Sequence, residues 1–340
     1  MTILDRPVPV IAAPMAGAST PALAAAVTEA GGLGFLAAGY LTADAMAAEV
    51  ADYRAATGGP VAINLFTPQT DRSQELAGPL ARHGEALLAT AARYGTTPGQ
   101  PRFDEDDFTA KVAWLVEHTV DLVTFTFGPV PAEVVRDLRA RGTLVGFTVT
   151  SRREAQSAVA LGADLLVAQG AGAGGHRGTW HVSDEPNTLT TAEVLDAVCG
   201  FDLPVIATGG VGTSADVRAL LDAGAAAVAV GTLFLPADES RAGRAHRKAL
   251  TSASPPRKAV ITRAFSGRWA RALANDFTRA HESTAVSAYP NLHHMSRPIR
   301  AAAAEHDDPE GLALWAGAGH RWVRSGPAAG ILAQLTPTAG

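Results

Sequence analysis

Between residues 169 and 178 the chain runs Gln169-Gly170-Ala171-Gly172-Ala173-Gly174-Gly175-His176-Arg177-Gly178, a glycine-dense loop carrying one imidazole. Glycine allows positive φ and lets the main chain lie against a ligand, while histidine exchanges protons near neutral pH. The pairing predicts a flat or phosphorylated cofactor beneath a catalytic histidine, His176, with a plain surface turn as the alternative. Two further segments, Thr208-Gly209-Gly210-Val211-Gly212 and Val230-Gly231-Thr232, offer unhindered N–H groups of the kind that hold phosphate. Asn64 and Gln169 each supply a donor and an acceptor, a combination suited to the mixed polar edge of a flavin or nucleobase. Met15 is either a thioether packed on a ring or filler for an irregular apolar gap. Gly170-x-Gly172-x-x-Gly175 also matches the dinucleotide fingerprint. No amphipathic helix follows it and Pro186 comes soon after, so a Rossmann site is rejected.

The elements that must position these residues repeat. Apolar runs suited to buried parallel strands lie at Val8–Ala12, Gly34–Ala37, Val61–Asn64, Leu122–Phe125, Leu144–Phe147, Leu165–Ala168, Val205–Ala207 and Ala227–Val230. Helical patterns such as Pro21–Ala30, Ala43–Ala55, Ala132–Arg141, Arg152–Leu161 and Ser214–Ala223 separate them, several ending at glycine. Eight such units predict an α/β fold, a (β/α)₈ TIM barrel, with a doubly wound sheet as runner-up. The candidate residues then fall at strand C-termini, the catalytic face of a barrel. Long connections after the third and sixth strands, Thr67–Asp107 and Gln169–Thr190, are candidates for shaping a substrate cavity. The expected division is a barrel over residues 1–239 with an excursion at about 67–107. A smaller, mainly helical substrate-side domain follows over 240–310, drawn from Ser240–Thr251 and Trp269–Thr284. A segment over 311–340 returns to the barrel.

Composition narrows the class. Hydrophobic residues make up 47% and charged residues 18% of 340, which suits a large core. A formal charge of −5 provides no basic field for nucleic acid or an anionic membrane. The single cysteine, Cys199, excludes an internal disulfide and reads as a small core residue. With no leader-like or membrane-length apolar run, a cytoplasmic location is expected. His293-His294 is not read as a metal site, because adjacent side chains diverge and no carboxylate or cysteine cluster completes one. The basic run Arg241, Arg244, Arg247, Lys248, Arg257, Lys258 and Arg263 reads as a solvated helical face or an attractor of anionic substrates.

Several segments together resemble the nitronate monooxygenase family, formerly 2-nitropropane dioxygenases, and within it the bacterial class with Gly174-Gly175-His176-Arg177-Gly178. These are Pro9-Val10-Ile11-Ala12-Ala13-Pro14-Met15-Ala16-Gly17, Val123-Thr124-Phe125-Thr126-Phe127-Gly128, the histidine loop, Thr208-Gly209-Gly210, Ala288-Tyr289-Pro290 and Leu314-Trp315-Ala316-Gly317. The resemblance implies a barrel that binds FMN through Met15, Asn64, Gln169, Gly174, Gly209, Gly210, Gly231 and Thr232. It implies His176 as the catalytic histidine and oxidation of alkyl nitronates, or nitroalkanes, by molecular oxygen to a carbonyl compound and nitrite. His176 then either removes the α-proton of a nitroalkane or holds the nitro oxygens of a nitronate, and Tyr289 is a candidate for orienting the substrate. This chain has Gly172 where the family pattern places glutamate, a departure that bears on substrate and rate. Two alternatives stand beside this reading: a flavin-dependent enoyl-thioester reductase using NAD(P)H, and a noncatalytic flavin- or phosphate-binding protein.

Overall fold

In the first strand Ile11 packs inside the sheet while its neighbours Val10 and Ala12 face the surrounding helices, and the same alternation recurs around the molecule. Both faces are buried, which explains runs that read as continuously apolar. A computed structural model describes residues 3–251 and 257–337, so the ends of the first and last expected segments, 1–2 and 338–340, lie outside the described residues. Its strands are β1 (Val10–Ala12), β2 (Leu33–Ala37), β3 (Ala62–Phe66), β4 (Leu122–Thr126), β5 (Leu144–Val149), β6 (Leu165–Gln169), β7 (Gly175–His176), β8 (Val205–Thr208), β9 (Ala227–Val230), β10 (Ala259–Thr262) and β11 (Ala270–Leu273). β1–β6, β8 and β9 form a closed barrel in that order, β9 pairing back onto β1 with Ala12 opposite Val230. The fold is a TIM barrel.

Local chemistry fixes the turns. Thr20, Thr42, Ser151, Thr190 and Thr213 each cap a helix, their side-chain oxygens accepting backbone N–H groups of the first turn. Gly162 and Gly224, each just past a helix end, have φ of +90° and +99°, which glycine adopts at least cost. The Ala328–Leu335 helix sets Ile331, Leu332 and Leu335 into the main core between strands and helices. Among the described residues no helix is long and apolar enough to cross a membrane.

A second apolar cluster sits above the barrel mouth. Leu80 and Leu87 of the Ala77–Arg93 helix, which belongs to the excursion, pack there with Phe265, Phe277, Leu292, Met295 and Ile299. The excursion and the later segment therefore share one core. This layer is less helical than expected. The predicted Trp269–Thr284 helix is instead β11 followed by the Asp276–His281 helix, because Asn275 and Thr278 form a capping box that starts the helix there. β10, β11 and β7 make an antiparallel sheet, which stitches the histidine loop to this layer through His176 opposite Ala270. Cys199 is exposed rather than buried: helical spacing turns Val194, Leu195 and Val198 inward and leaves position 199 outside.

Candidate active site

The inward register of the barrel decides what lines its C-terminal mouth. On four of the strands inward residues run from apolar to polar: Ala62 then Asn64, Leu122 then Thr124 and Thr126, Leu165 then Gln169, Ile206 then Thr208. They open onto a cavity of about 600 Å³ bordered by Met15, Asn64, Gln169, Gly174, His176, Gly209, Gly210, Gly231 and Thr232. The structure thus gathers the predicted positions, except Tyr289, around one space.

The two amides behave differently. Asn64 Oδ1 accepts from Thr124 Oγ1 at 3.0 Å and Thr126 Oγ1 at 2.9 Å. Its amide N–H donors are left without a protein acceptor among the described residues and are available to a ligand. Gln169 is engaged by the loop itself: Oε1 accepts from Gly178 N–H at 2.8 Å, and Nε2 donates to the His176 carbonyl at 3.2 Å. Its principal effect is to hold the histidine loop against β6.

On the opposite rim the absence of side chains does the shaping. A Cβ on Gly174 would lie 2.4 Å from Gly317 N, and one on Gly172 would lie 2.8 Å from the Gly210 Cα. Gly209 and Gly210 take φ of +122° and +77°. Thr232 Oγ1 accepts from Gly317 N–H at 2.9 Å, and Ala318 N–H donates to the Gly172 carbonyl at 2.9 Å, so the C-terminal segment closes this rim. The N–H groups of Gly210 and Thr232 have no protein acceptor among the described residues and are free to meet a ligand. Gly172 packs so tightly onto Gly210 that the expected glutamate position has no room for a side chain as the loop stands.

His176 faces the other side. Its Nε2 lies 2.7 Å from Ser266 Oγ, and Nδ1 has no partner among the described residues. Phe127, Tyr289 and Trp315 surround the ring at centroid distances of 5.7, 5.8 and 5.2 Å. Burial, with the nearby Arg268 and Arg300 guanidinium groups, holds its pKa down to about 3. The imidazole is therefore neutral at physiological pH. Arg268 is fully buried, donates to the Thr179 carbonyl at 2.7 Å and to Gln69 Oε1 at 2.5 Å, and stacks 4.1 Å from the Phe127 ring centroid. Arg300 lines the cavity, tied by Nε to Ser296 Oγ at 3.0 Å. Neither has an ion-pair partner among the described residues, and burial pushes both down to about 10, which leaves them charged.

The chain is similar to known proteins along its whole length. The nitronate monooxygenase family pattern matches residues 2–338. The chain belongs to that family. The nitronate monooxygenase of Paraburkholderia phytofirmans is 37% identical over 96% of this chain and 91% of its own, and that of Pseudomonas aeruginosa is 35% identical over 96% and 95%. Among solved structures, nitroalkane oxidase from Streptomyces ansochromogenes superposes with a TM-score of 0.92 at 43% identity, covering 97% of this chain and 95% of that one. FabK from Thermotoga maritima gives 0.74 at 26% identity, covering 98% and 93%. The family is one of flavin-dependent oxidoreductases, and this chain is an enzyme of that kind.

For a nitronate monooxygenase family member, the remaining candidates sort clearly. Tyr289 lies behind the Phe127 ring, its hydroxyl 3.5 Å from that of Tyr40, and borders a second cavity rather than the first. The basic run does not form an open field. Arg241 pairs with Glu49, Arg244 with Asp307, Arg257 with Glu310 and Arg263 with Glu282, and Arg247 donates to backbone carbonyls. The cavity's cations are Arg297 and Arg300, three apart on the Asn291–Glu305 helix, a spacing that places both on one face. Sequence reasoning missed these two, together with Ser266, Arg268 and Tyr40. The i,i+3 arginine pair beside Tyr289 was the available signal. His293 stacks on Tyr40 and His294 pairs with Asp104 at 2.6 Å.

Proposed function

We propose that the protein is an FMN-dependent oxidoreductase that converts alkyl nitronates and molecular oxygen to a carbonyl compound and nitrite. The observation that carries this reading is a neutral imidazole with an open Nδ1, set among guanidinium groups that lack carboxylate partners. Such a wall favours a small, delocalised anion over a neutral or cationic substrate.

The residues present fit FMN. The cradle around Gly174, Gly209, Gly210, Gly231 and Thr232 suits its phosphate, Asn64 suits the polar ring edge, and Met15, whose Sδ lies 3.4 Å from where a Gly231 Cβ would stand, suits the flat ring face. FMN supplies the electron chemistry when bound.

The chain's own residues do the rest. The 2.7 Å hydrogen bond between Ser266 Oγ and Nε2 orients the imidazole, and in the tautomer in which Nε2 accepts from Ser266, Nδ1–H points a donor at a nitronate oxygen. Arg300 adds long-range attraction, and Phe127 and Trp315 keep water from the imidazole. With its conjugate acid near 3, His176 is a poor base toward a neutral nitroalkane, so the preformed nitronate is the preferred substrate. The test is oxygen uptake with nitrite and carbonyl assays on the FMN-loaded protein, given the anion of a simple secondary nitroalkane and, separately, the neutral compound. Nitrite from the anion, at a much higher rate than from the neutral compound, is expected. FMN uptake without nitrite would contradict this reading and leave the enoyl-thioester reductase and the noncatalytic flavin-binding alternatives.

A further inference from the structure

A second cavity of about 380 Å³ adjoins the first, and Tyr40, Phe66, Arg297 and Arg300 border both. We propose that Tyr40 is a specificity-determining gate: it partitions the chamber over His176 from this second cavity and so limits the length of the alkyl tail a nitronate can carry. The inference rests on the nitronate reading above, and it names the substrate class of that same site, short-chain alkyl nitronates.

Tyr40 is held in place at a cost in backbone conformation. Its φ is +67°, a region tyrosine rarely occupies, and its N–H donates to Asp106 Oδ1 at 2.7 Å. Asp106 and Asp107 are themselves left-handed, at +55° and +52°. Asp106 is locked by Lys111 Nζ at 2.9 Å, a lysine only 1% exposed, and Asp107 Oδ2 accepts from Ala43 N–H at 2.7 Å at the start of the Ala43–Ala56 helix. Three strained non-glycine residues in one corner persist only where the surroundings over-determine them, and such corners gather at ligand clamps.

The ring closes the partition from its other side. It stacks on His293 at a centroid distance of 4.3 Å, meets the edge of Phe66 at 5.5 Å, and reaches Tyr289 through the two hydroxyls. It is nevertheless 40% exposed, so it is not a core residue whose loss should collapse the fold. Behind it the second cavity is lined by charged groups, among them Arg102, Asp104, Glu105 and Arg297, but Leu41, Tyr289 and Pro290 also border it and offer apolar contact to an alkyl tail once the partition is removed.

The experiment is calorimetric binding of straight-chain alkanoates of increasing length to the FMN-loaded protein. A carboxylate has the charge and the two planar oxygens of a nitronate but does not react. In the wild type, affinity should rise about fourfold per methylene and then stop at a cut-off length. In Tyr40→Gly, which accepts the left-handed backbone without strain, the cut-off should move to chains at least two methylenes longer. Tyr40→Phe should keep the wild-type cut-off. An identical cut-off in Tyr40→Gly, or none in the wild type, overturns the gate while leaving the anion site standing. No binding of any alkanoate overturns the anion-site reading itself. Should Tyr40→Gly fail to fold, Asp106→Asn, which keeps an acceptor for the Tyr40 N–H but loses the Lys111 ion pair, should move the cut-off in the same direction, and an unmoved cut-off there overturns the proposal.

Discussion

The two rims of the main cavity are built by opposite means. On one, Gly174, Gly209, Gly210 and Gly231 work by having no side chain, so that main-chain N–H groups lie bare. On the other, His176, Arg300, Phe127 and Trp315 crowd together as large side chains, with the buried Arg268 packed on the Phe127 ring. On the function proposed above, the first arrangement would hold the cofactor's fixed anion through geometry alone, while the second tunes charge and protonation by burial and would govern which molecule reacts. Changes on the glycine rim should therefore remove cofactor, whereas changes on the side-chain wall should leave cofactor bound and alter turnover.

The sharpest way to break this contrast is Gly210→Val. Its φ of +77° excludes a β-branched residue, and the Gly172 Cα already stands 3.3 Å from the added Cβ position. FMN affinity should fall by about 10²-fold or more, read by flavin retention on desalting. Retained flavin would move the anchor elsewhere. Next in size is His176→Asn, which should keep FMN but lower kcat/KM for nitronate by about 10²-fold, the usual cost of removing one positioned donor. Because burial and the two arginines keep His176 neutral, the wild-type profile should show no ionisation from it near pH 6.5. Full activity in the variant would remove His176 from the reaction.

How much of this could be read beforehand followed from the same contrast. The barrel was readable because each of its strands is a short apolar run bounded by a glycine or capping residue, as at Gly224 and Thr213. The glycine rim was readable because a missing side chain is visible in sequence. The wall was not. Ser266 and Arg268 reach His176 only through the pairing of β7 with β11, a contact between segments far apart in the chain. β11 was hidden because Ala270–Leu273 is as compatible with helix as with strand until a tertiary partner decides. Cys199 was misplaced by reading an apolar neighbourhood without tracking its helical phase.

A smaller effect sharpens the wall's role. Arg300→Met should raise KM for nitronate about threefold while changing kcat little, through the loss of one cationic charge beside the cavity. An unchanged KM would remove Arg300 from substrate binding.

The mildest prediction concerns acid stability. Burial lowers His176 to about 3, His293 to about 2, and His83 and His246 to about 4. Below pH 6.5 the unfolded chain takes up protons that these folded imidazoles do not, so their contribution is complete above about pH 6.5 and is lost as pH falls. Asp106, raised by burial to about 6, opposes this, since below that pH the folded form binds the extra proton. Glu49, also raised by burial, acts in the same sense as Asp106, but the four lowered imidazoles outweigh these two carboxyls, and urea midpoints should drop between pH 7 and pH 5. A higher midpoint at pH 5 would contradict the burial of neutral imidazoles.

The measurement that tests the central claim most directly is the visible spectrum of the FMN-loaded protein under anaerobic conditions, mixed in turn with an alkyl nitronate and with NADH or NADPH. Loss of the oxidised flavin band with nitronate, and none with either dinucleotide, is the predicted result. Bleaching by NAD(P)H with an unchanged spectrum in nitronate would contradict it and favour an NAD(P)H-dependent enoyl-thioester reductase.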